Sequence, residues 1–160
     1  MGVGKTSTGR KLSGILGIRF TDMDAVIEEQ EGMSVQEIFN QKGEEWFRNK
    51  ETEVLKQLSV ANENLIIATG GGTPCFNENM EIINATGISF YLQMSPVALV
   101  KRLTRTEKRT RPLIAGKTDE ELIEYIQLKL SEREQFYLKS KFIIPADNIR
   151  IEDIVSNLKL

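Results

Sequence analysis

The stretch Gly2-Val3-Gly4-Lys5-Thr6 is the second half of a phosphate-binding loop with the pattern G-x-x-x-x-G-K-[ST]. Such a glycine-rich turn opens directly into a helix, so several backbone N–H groups and the positive end of the helix dipole face one anion. The pattern assigns Lys5 to the β- and γ-phosphates of a nucleotide and the Thr6 hydroxyl to Mg²⁺. The alternative is a glycine turn that only starts a helix, and these residues alone leave it open.

The composition is typical of a single soluble globular domain. The chain has 160 residues, of which 40% are hydrophobic and 28% are charged, and its net charge is −2. This charge argues against general binding to nucleic acid or to an anionic membrane, and no apolar run is long enough to span a membrane. The single cysteine, Cys75, excludes an intramolecular disulfide and fits a reducing, cytoplasmic compartment. Because the sequence contains no histidine, its chemistry must rest on carboxylates, Lys, Arg, hydroxyls and backbone dipoles.

Short apolar segments alternate with helical patterns along the chain. We predict strands at 18–22, 65–69, 88–92 and 142–145. This alternation indicates βαβ units, and therefore an α/β fold with a parallel sheet that has helices on both faces. Binding sites in such sheets lie at the carboxyl ends of the strands, where Asp22, Asp24 and the glycines 70–72 also fall.

Several helix ends carry capping signals. The segments 34–37 and 118–121 form capping boxes, which predict helix starts. Asn77 is predicted to cap a helix that reaches about residue 85. Pro96 stands at the first position of a helix that we expect to end near residue 103.

Asp22 and Asp24 stand at the end of the first predicted strand. If the strand extends through Asp24, both carboxylates point the same way. One can then hold Mg²⁺ through water while the other accepts a hydrogen bond from a substrate hydroxyl. The alternative is helix N-capping, for which Asp is well suited, and the residues favour neither. The three glycines 70–72 are more than a tight turn needs, so we favour close approach of a ligand to their backbone.

Two arginines need partners. Arg48 and Glu51 lie one helical turn apart, and this spacing favours a solvated ion pair. The alternative is an arginine that its glutamate orients to bind a carboxylate through two hydrogen bonds. Arg133 shares a mostly apolar stripe with Leu130 and Tyr137, where an arginine needs an anionic partner. That partner is either a structural carboxylate or a bound anion, and we favour the anion.

A basic run stands out in this slightly acidic sequence. It consists of Lys101, Arg102, Arg105, Lys108, Arg109 and Arg111. The run leads into Arg111-Pro112-Leu113 and a segment that contains glycine. It fits a solvated face, a nucleic-acid patch or a lid over a triphosphate.

Taken in order and spacing, these residues resemble the shikimate kinase family. The matching motifs cover nearly the whole chain and are Gly2-Val-Gly-Lys-Thr6, Phe20-Thr-Asp-Met-Asp24, Gly43-Glu-Glu-Trp-Phe-Arg48 with Glu51, Thr69-Gly-Gly-Gly72, Arg111-Pro112-Leu113 and Glu132-Arg-Glu-Gln-Phe-Tyr137. The phosphate loop alone would indicate only a nucleotide-binding kinase or NTPase. The whole set is typical of shikimate kinases within the P-loop kinases of the nucleoside-monophosphate-kinase type.

The resemblance implies a single domain over residues 1–160, built as a three-layer α/β/α sandwich around a parallel sheet. The substrate-binding segment would be about 24–62 and a mobile lid about 104–118. The implied reaction is phosphorylation of the 3-hydroxyl of shikimate by ATP with Mg²⁺, carried out by a monomer. The alternatives are a kinase of the same fold that acts on gluconate or another small acid, and an inactive nucleotide-binding remnant.

The family's sheet has five strands, and the resemblance implies that the first one lies in the middle of the sheet. That strand and the leading glycine of the phosphate loop would lie upstream of Met1. We expect roughly ten further residues there, the length of a strand and a loop, with Met1 an internal methionine. Without a central strand, a domain would lose apolar burial beyond its usual stability of about 5–15 kcal/mol.

The resemblance also implies a role for each matching residue. The substrate would bind to Asp24, Arg48, Gly71, Gly72 and Arg133. The nucleotide would bind to Gly2, Val3, Gly4, Lys5, Thr6, Ser7, Arg105 and Arg111, with Arg105 against the adenine. The catalytic residues would be Lys5, Asp24 and Arg111, and the residues at the metal would be Thr6 and, through water, Asp22.

Overall fold

The computed structural model describes residues 2–106 and 118–158, which form an α/β structure. The strands are β1 (Arg19–Asp22), β2 (Leu65–Ala68), β3 (Phe90–Gln93) and β4 (Phe142–Pro145). The helices are α1 (Lys5–Leu16), α2 (Met23–Glu31), α3 (Val35–Ser59), α4 (Asn79–Thr86), α5 (Pro96–Thr106), α6 (Asp119–Tyr137) and α7 (Ile151–Leu158), with a 3₁₀ turn at Thr73–Cys75. The predicted α/β fold with parallel strands is confirmed.

The strands form two parallel pairs. β1 pairs with β2, with Arg19 opposite Leu65, and β3 pairs with β4, with Phe90 opposite Phe142. A cavity of about 660 Å³ separates the pairs, and residues of both β2 and β3 line it together with Leu12 of α1. The sheet that the resemblance implies as continuous is therefore divided in two within the described residues.

The apolar side chains form separate clusters around these two pairs. The first cluster joins α2 to α3 and contains Met23, Ile27, Ile38, Phe47, Val54 and Leu55. The second joins the phosphate loop, α5 and α6, and contains Val3, Leu99, Val100, Leu103, Leu122 and Ile126. The third, with Leu12, Ile144 and Ile154, joins α1, β4 and α7. The helices that carry Arg48 and Arg133 therefore belong to different clusters.

The capping signals set most helix boundaries. Ser34 and Thr118 each accept a hydrogen bond from the backbone three residues later, as predicted for capping boxes. The regular geometry of α3 is interrupted at Gly43, whose φ of 82° is not helical, so α3 consists of two helices that meet there. Glycine adopts such a φ at little cost because it has no Cβ.

Two predicted boundaries are wrong. Asn77 does not cap a helix, because its side-chain amide donates to Thr52 Oγ1 at 3.0 Å and α4 begins only at Asn79. The helix α5 continues past residue 103 to Thr106, so the first residues of the predicted lid, 104–106, are helical. The remainder of the lid prediction, through residue 117, lies outside the described residues.

No helix in the described ranges 2–106 and 118–158 combines the length and the apolar character needed to cross a bilayer.

Candidate active site

The phosphate loop runs into the first turn of α1. Gly4 is the N-cap of α1 and has a left-handed φ of 95°, which a residue without a Cβ adopts at little cost. The next two residues, Lys5 and Thr6, are half-buried in the first helical turn, whereas Ser7 is exposed. A Cβ at Gly4 would come within 2.5 Å of Arg102 Nη2, so a guanidinium from α5 packs against the loop.

Asp22 connects the loop to the second motif. Its Oδ2 accepts a hydrogen bond of 2.8 Å from the Thr6 hydroxyl, and its Oδ1 accepts one of 3.2 Å from the backbone N–H of Asp24. Asp22 is thus both the partner of Thr6 and the N-cap of α2. The interpretation that β1 extends through Asp24 is wrong, because this cap starts α2 at Met23 and puts Asp24 in the first helical turn.

Asp24 lies where several acidic groups meet. Burial raises its pKa above the ordinary value for aspartate, and the charges of Asp22 and Glu51 raise it further, while the charge of Lys5 lowers it. A carboxylate with a raised pKa has a higher proton affinity than an exposed one. Asp24 is therefore suited to accept a hydrogen bond or a proton from a hydroxyl group.

Glu51 is buried beneath the glycine loop. Its side chain is 1% exposed; Oε2 accepts a hydrogen bond of 2.6 Å from Arg48 Nη1, and Oε1 accepts one of 2.6 Å from the Thr73 hydroxyl. The favoured interpretation of Arg48 and Glu51 as a solvated ion pair is therefore wrong. The 3₁₀ turn that follows the glycines packs over this part of α3 and excludes water, which the helical spacing does not reveal.

The glycines 70–72 bring the end of β2 against the charged groups. A Cβ at Gly70 would come within 2.6 Å of Glu51 Oε1 and 3.0 Å of Asp24 Oδ1, and a Cβ at Gly72 would clash with the Arg48 guanidinium. Side chains are thus excluded here because backbone and charged groups approach closely. The neighbours found here are side chains of the protein itself, so the approach of a ligand to this backbone stays a prediction.

Arg48 is fixed from several sides. Its Nε and Nη2 donate hydrogen bonds of 3.2 and 2.9 Å to Glu44 Oε1, in addition to the bond to Glu51. Its guanidinium carbon lies 4.5 Å from the centre of the Phe76 ring. Burial alone would lower the pKa of Arg48, but the two glutamates outweigh this effect and raise it, so the guanidinium stays charged.

Arg133 is on α6, and its guanidinium lies near that of Arg48. Burial raises the pKa of the Cys75 thiol, and the charges of Arg133 and Arg48 both act on that thiol to lower it. Burial also raises the pKa of Tyr137, and the same two arginines lower it. Because the charges of both guanidinium groups act on the same thiol and the same hydroxyl, the two arginines lie on the same side of the molecule. The Tyr137 hydroxyl donates a hydrogen bond to the carbonyl oxygen of Gly71, which adds the glycine loop to this group.

The structure brings most of the residues with implied roles together. One group lies around Asp22 and contains Thr6, Asp24 and Lys5. The other contains Arg48, Gly72 and Arg133. Gly70 and Glu51 lie between them, because a Cβ at Gly70 would come close to both Asp24 and Glu51, and Glu51 pairs with Arg48. Arg105 lies exposed in the last turn of α5. Arg111 falls outside the described residues.

Three residues that contact this region, Tyr137, Thr73 and Arg102, were assigned no site role from the sequence. One signal for Tyr137 was present, because it follows Arg133 by four residues and therefore shares its helix face. The contacts of Thr73 and Arg102 depend on chain folding over long separations, and no local pattern indicates them.

Comparisons with known proteins show which family this chain is similar to. A family model described as shikimate kinase matches residues 1–159. A shikimate kinase from Phocaeicola vulgatus is 40% identical over 149 residues, which cover 93% of this chain and 84% of the relative. A crystal structure of shikimate kinase from Bacteroides thetaiotaomicron superposes with a TM-score of 0.90 at 40% identity, over 99% of this chain and 92% of that one. Shikimate kinase from Acinetobacter baumannii in complex with shikimate gives a TM-score of 0.81 at 34% identity, over 99% of this chain and 86% of that one.

Proposed function

This chain belongs to the shikimate kinase family, and from that premise we propose that it transfers the γ-phosphoryl group of ATP to the 3-hydroxyl of shikimate. The observation that supports this best is the pair of guanidinium groups, Arg48 and Arg133, that act on the same thiol of Cys75. Two such groups beside one another suit a single small carboxylate. The relative from Acinetobacter baumannii is a complex with shikimate, which is a small ring acid of this kind.

The substrate would lie between the arginines and Asp24. Its carboxylate would bind to Arg48, Arg133 and the backbone N–H groups of Gly71 and Gly72. Its ring hydroxyls would bind to Asp24, whose raised pKa favours hydrogen bonding to a hydroxyl. The site would then bind the carboxylate at one end of the ring and the hydroxyls at the other. The distance between these two parts of the site would select polyhydroxy acids of one length.

The nucleotide would bind on the phosphate-loop side. Its phosphates would contact the N–H groups of the loop from Gly2 to Ser7, with Val3 holding the loop in the core. Lys5 and Arg111 would contact the transferring phosphoryl group, and Arg105 would stack on the adenine. Most of the cationic groups would then lie around the terminal phosphates, where charge builds up during transfer.

Thr6 and Asp22 fit a magnesium ion. Their oxygens are 2.8 Å apart, and hydroxyl and carboxylate oxygens are the hard ligands that Mg²⁺ prefers, usually with several waters and phosphate oxygens in the remaining positions. We propose that Thr6 holds Mg²⁺ directly and that Asp22 holds it through water. When bound, the ion neutralises charge on the phosphates.

The protein's own part in the chemistry is alignment and charge placement. The transition state of phosphoryl transfer is loose, with charge spread over the equatorial oxygens, so a positioned hydroxyl and nearby cations account for most of the acceleration. Asp24 would orient the attacking 3-hydroxyl and accept its proton, and Lys5 would stabilise the charge that develops. Lys5 also acts on the charge of Asp24, so the two groups lie close enough for this arrangement.

We also propose that the protein acts as a monomer in the cytoplasm. The single cysteine fits a reducing compartment, and the resemblance implies no partner subunit. Sedimentation equilibrium of the purified protein tests the monomer, which should give a mass near 18.1 kDa.

The reaction is tested by measuring ADP release from ATP and Mg²⁺ with shikimate or gluconate as acceptor. We expect turnover with shikimate, none above background with gluconate, and loss of turnover in the Lys5→Ala variant. Turnover with gluconate and not with shikimate would assign the protein to another acid kinase of the same fold. ATP binding without transfer to either acid would show a nucleotide-binding protein without this activity.

A further inference from the structure

Tyr137 occupies a central position beside the proposed carboxylate site. Its hydroxyl donates a hydrogen bond to the carbonyl oxygen of Gly71. Burial raises the pKa of this hydroxyl, whereas the charge of Arg133, one turn earlier on α6, lowers it. The phenol group thus donates to a backbone carbonyl of the glycine loop and lies near a guanidinium.

The contact with Gly71 determines where the next amide points. The carbonyl of Gly71 and the N–H of Gly72 belong to one planar trans peptide, so they point in opposite directions. A hydroxyl that holds the carbonyl on the α6 side therefore holds the N–H of Gly72 on the other side. The Arg48 guanidinium lies against Gly72, because a Cβ there would clash with it.

The helix α6 is also attached to β3 by other groups. Glu134 Oε1 accepts hydrogen bonds from Tyr91 Oη at 3.4 Å and from Gln93 Nε2 at 3.3 Å. The rings of Tyr91 and Tyr137 lie 5.1 Å apart between centroids, a contact that a phenylalanine would preserve. The position of α6 therefore does not depend on the Tyr137 hydroxyl alone, and the hydroxyl has a more local effect.

We propose that Tyr137 is a positioning residue for the substrate carboxylate: by holding the Gly71 carbonyl, its hydroxyl sets the direction of the Gly72 N–H. This inference rests on the proposed function, in which the Gly72 N–H and Arg133 bind that carboxylate. Tyr137 acts through the Gly71–Gly72 peptide and does not itself touch the substrate.

The test compares Tyr137→Phe with the matched control Tyr91→Phe, which also removes one hydroxyl from the interface between β3 and α6. We expect Tyr137→Phe to raise the KM for shikimate about three- to tenfold, the effect of losing one neutral hydrogen bond. The kcat and the KM for ATP should stay within about twofold, as should the melting behaviour. Tyr91→Phe should leave the KM for shikimate within about twofold.

Coupling to Arg133 is measured with the double variant. In an Arg133→Ala background, the further effect of Tyr137→Phe on the KM for shikimate should shrink, because Arg133 and the Gly72 N–H would bind the same carboxylate and losing one weakens the hold on the other. An equal factor in both backgrounds would overturn the proposed coupling. An unchanged KM in Tyr137→Phe, or the same rise in Tyr91→Phe, would overturn the positioning role itself.

The same set of variants separates this inference from the proposed function. If Arg133→Ala leaves the KM for shikimate unchanged, the proposed carboxylate site is wrong. If Arg133→Ala raises that KM and Tyr137→Phe does not, the site stands and only the role of Tyr137 fails.

Discussion

Arg48 and Arg133 are both proposed to bind the substrate carboxylate, but the protein holds them in different ways. Arg48 donates hydrogen bonds to Glu44 and Glu51 and its side chain is 11% exposed. Arg133 contacts the neutral hydroxyl of Tyr137 and is half-buried on another helix. The two guanidinium groups thus lie near each other, but Arg48 is beside two carboxylates and Arg133 is beside a neutral hydroxyl.

This difference divides structural and binding roles between the arginines. Glu51 is buried, so the charge of Arg48 is needed to keep that carboxylate paired in a dry environment. The Arg48 guanidinium is therefore held in a fixed orientation, but the two glutamates offset most of its positive charge. Arg133 is beside a neutral partner, and its charge is available to attract an anion. We expect stability to depend on Arg48 and substrate affinity to depend more on Arg133.

The largest expected effect is on stability. Arg48→Ala leaves Glu51 buried without its cation, so the free energy of unfolding should fall by about 3–5 kcal/mol. Arg133→Ala should lower it by less than about 1 kcal/mol, because no buried carboxylate within residues 2–106 and 118–158 pairs with Arg133. Urea unfolding followed by circular dichroism measures both.

A matched double variant identifies the cause. Arg48→Met combined with Glu51→Leu removes both charges and should recover part of the stability that Arg48→Ala loses. A loss below about 1 kcal/mol in Arg48→Ala, or no recovery in the double variant, would contradict the picture of a buried charge pair.

The next effect is on substrate affinity. Arg133→Ala removes a charge-assisted hydrogen bond, for which a loss of about 1.5–3 kcal/mol is usual, so the KM for shikimate should rise roughly ten- to hundredfold. The KM for ATP should change little. Steady-state kinetics with each substrate varied in turn makes the comparison. Arg19→Ala is the control, since Arg19 pairs with Glu63 on an exposed surface and should leave both constants unchanged.

The sequence predicted the parts of this arrangement that depend on local chemistry. The capping boxes at Ser34 and Thr118, the helix that starts after Gly4 and the carboxyl ends of the strands all follow from short-range rules. The proposed role of Arg48 came from the family resemblance, because spacing alone favoured a solvated pair. For Arg133, the apolar stripe of its helix already favoured a bound anion. Local patterns contain no information about which helix a loop will cover.

The features that the sequence missed all depend on contacts between distant residues. Glu51 meets Thr73 across 22 positions, and Tyr137 meets Gly71 across 66. Burial of Glu51 arises only when the 3₁₀ turn packs on α3, and that packing turns an ordinary i,i+3 pair into a dry one. Asp22 shows the opposite case, since its local interpretation as a helix N-cap is confirmed, whereas its contact with Thr6 is made across 16 positions.

A smaller effect is expected at Cys75, which reports directly on the two arginines. Burial raises the pKa of this thiol, so alkylation by iodoacetamide should be slower than for an exposed cysteine at pH 7 and should speed up as the pH rises. Arg133→Ala removes a charge that lowers this pKa, so labelling should slow severalfold at a given pH. Mass spectrometry follows the reaction at the chain's single cysteine. An unchanged labelling rate in Arg133→Ala would place Arg133 away from Cys75, and Arg19→Ala should not change the rate.

The smallest expected effect concerns Glu44, the exposed carboxylate that offsets part of the positive charge of Arg48. Glu44 is 60% exposed and occupies the edge of Arg48 formed by Nε and Nη2, while Nη1 donates to Glu51, so a ligand would bind to the second N–H groups of Nη1 and Nη2. Glu44→Gln keeps an oxygen acceptor but removes a negative charge near the proposed carboxylate, so the KM for shikimate should fall about twofold, the scale of a solvent-screened pair. The gain should disappear at high salt. Glu45→Gln makes the same change in net charge at a neighbouring exposed position and should have less effect. A rise in KM in Glu44→Gln would show instead that Glu44 is needed to orient Arg48. The ion pair between the two residues would then be required for substrate binding.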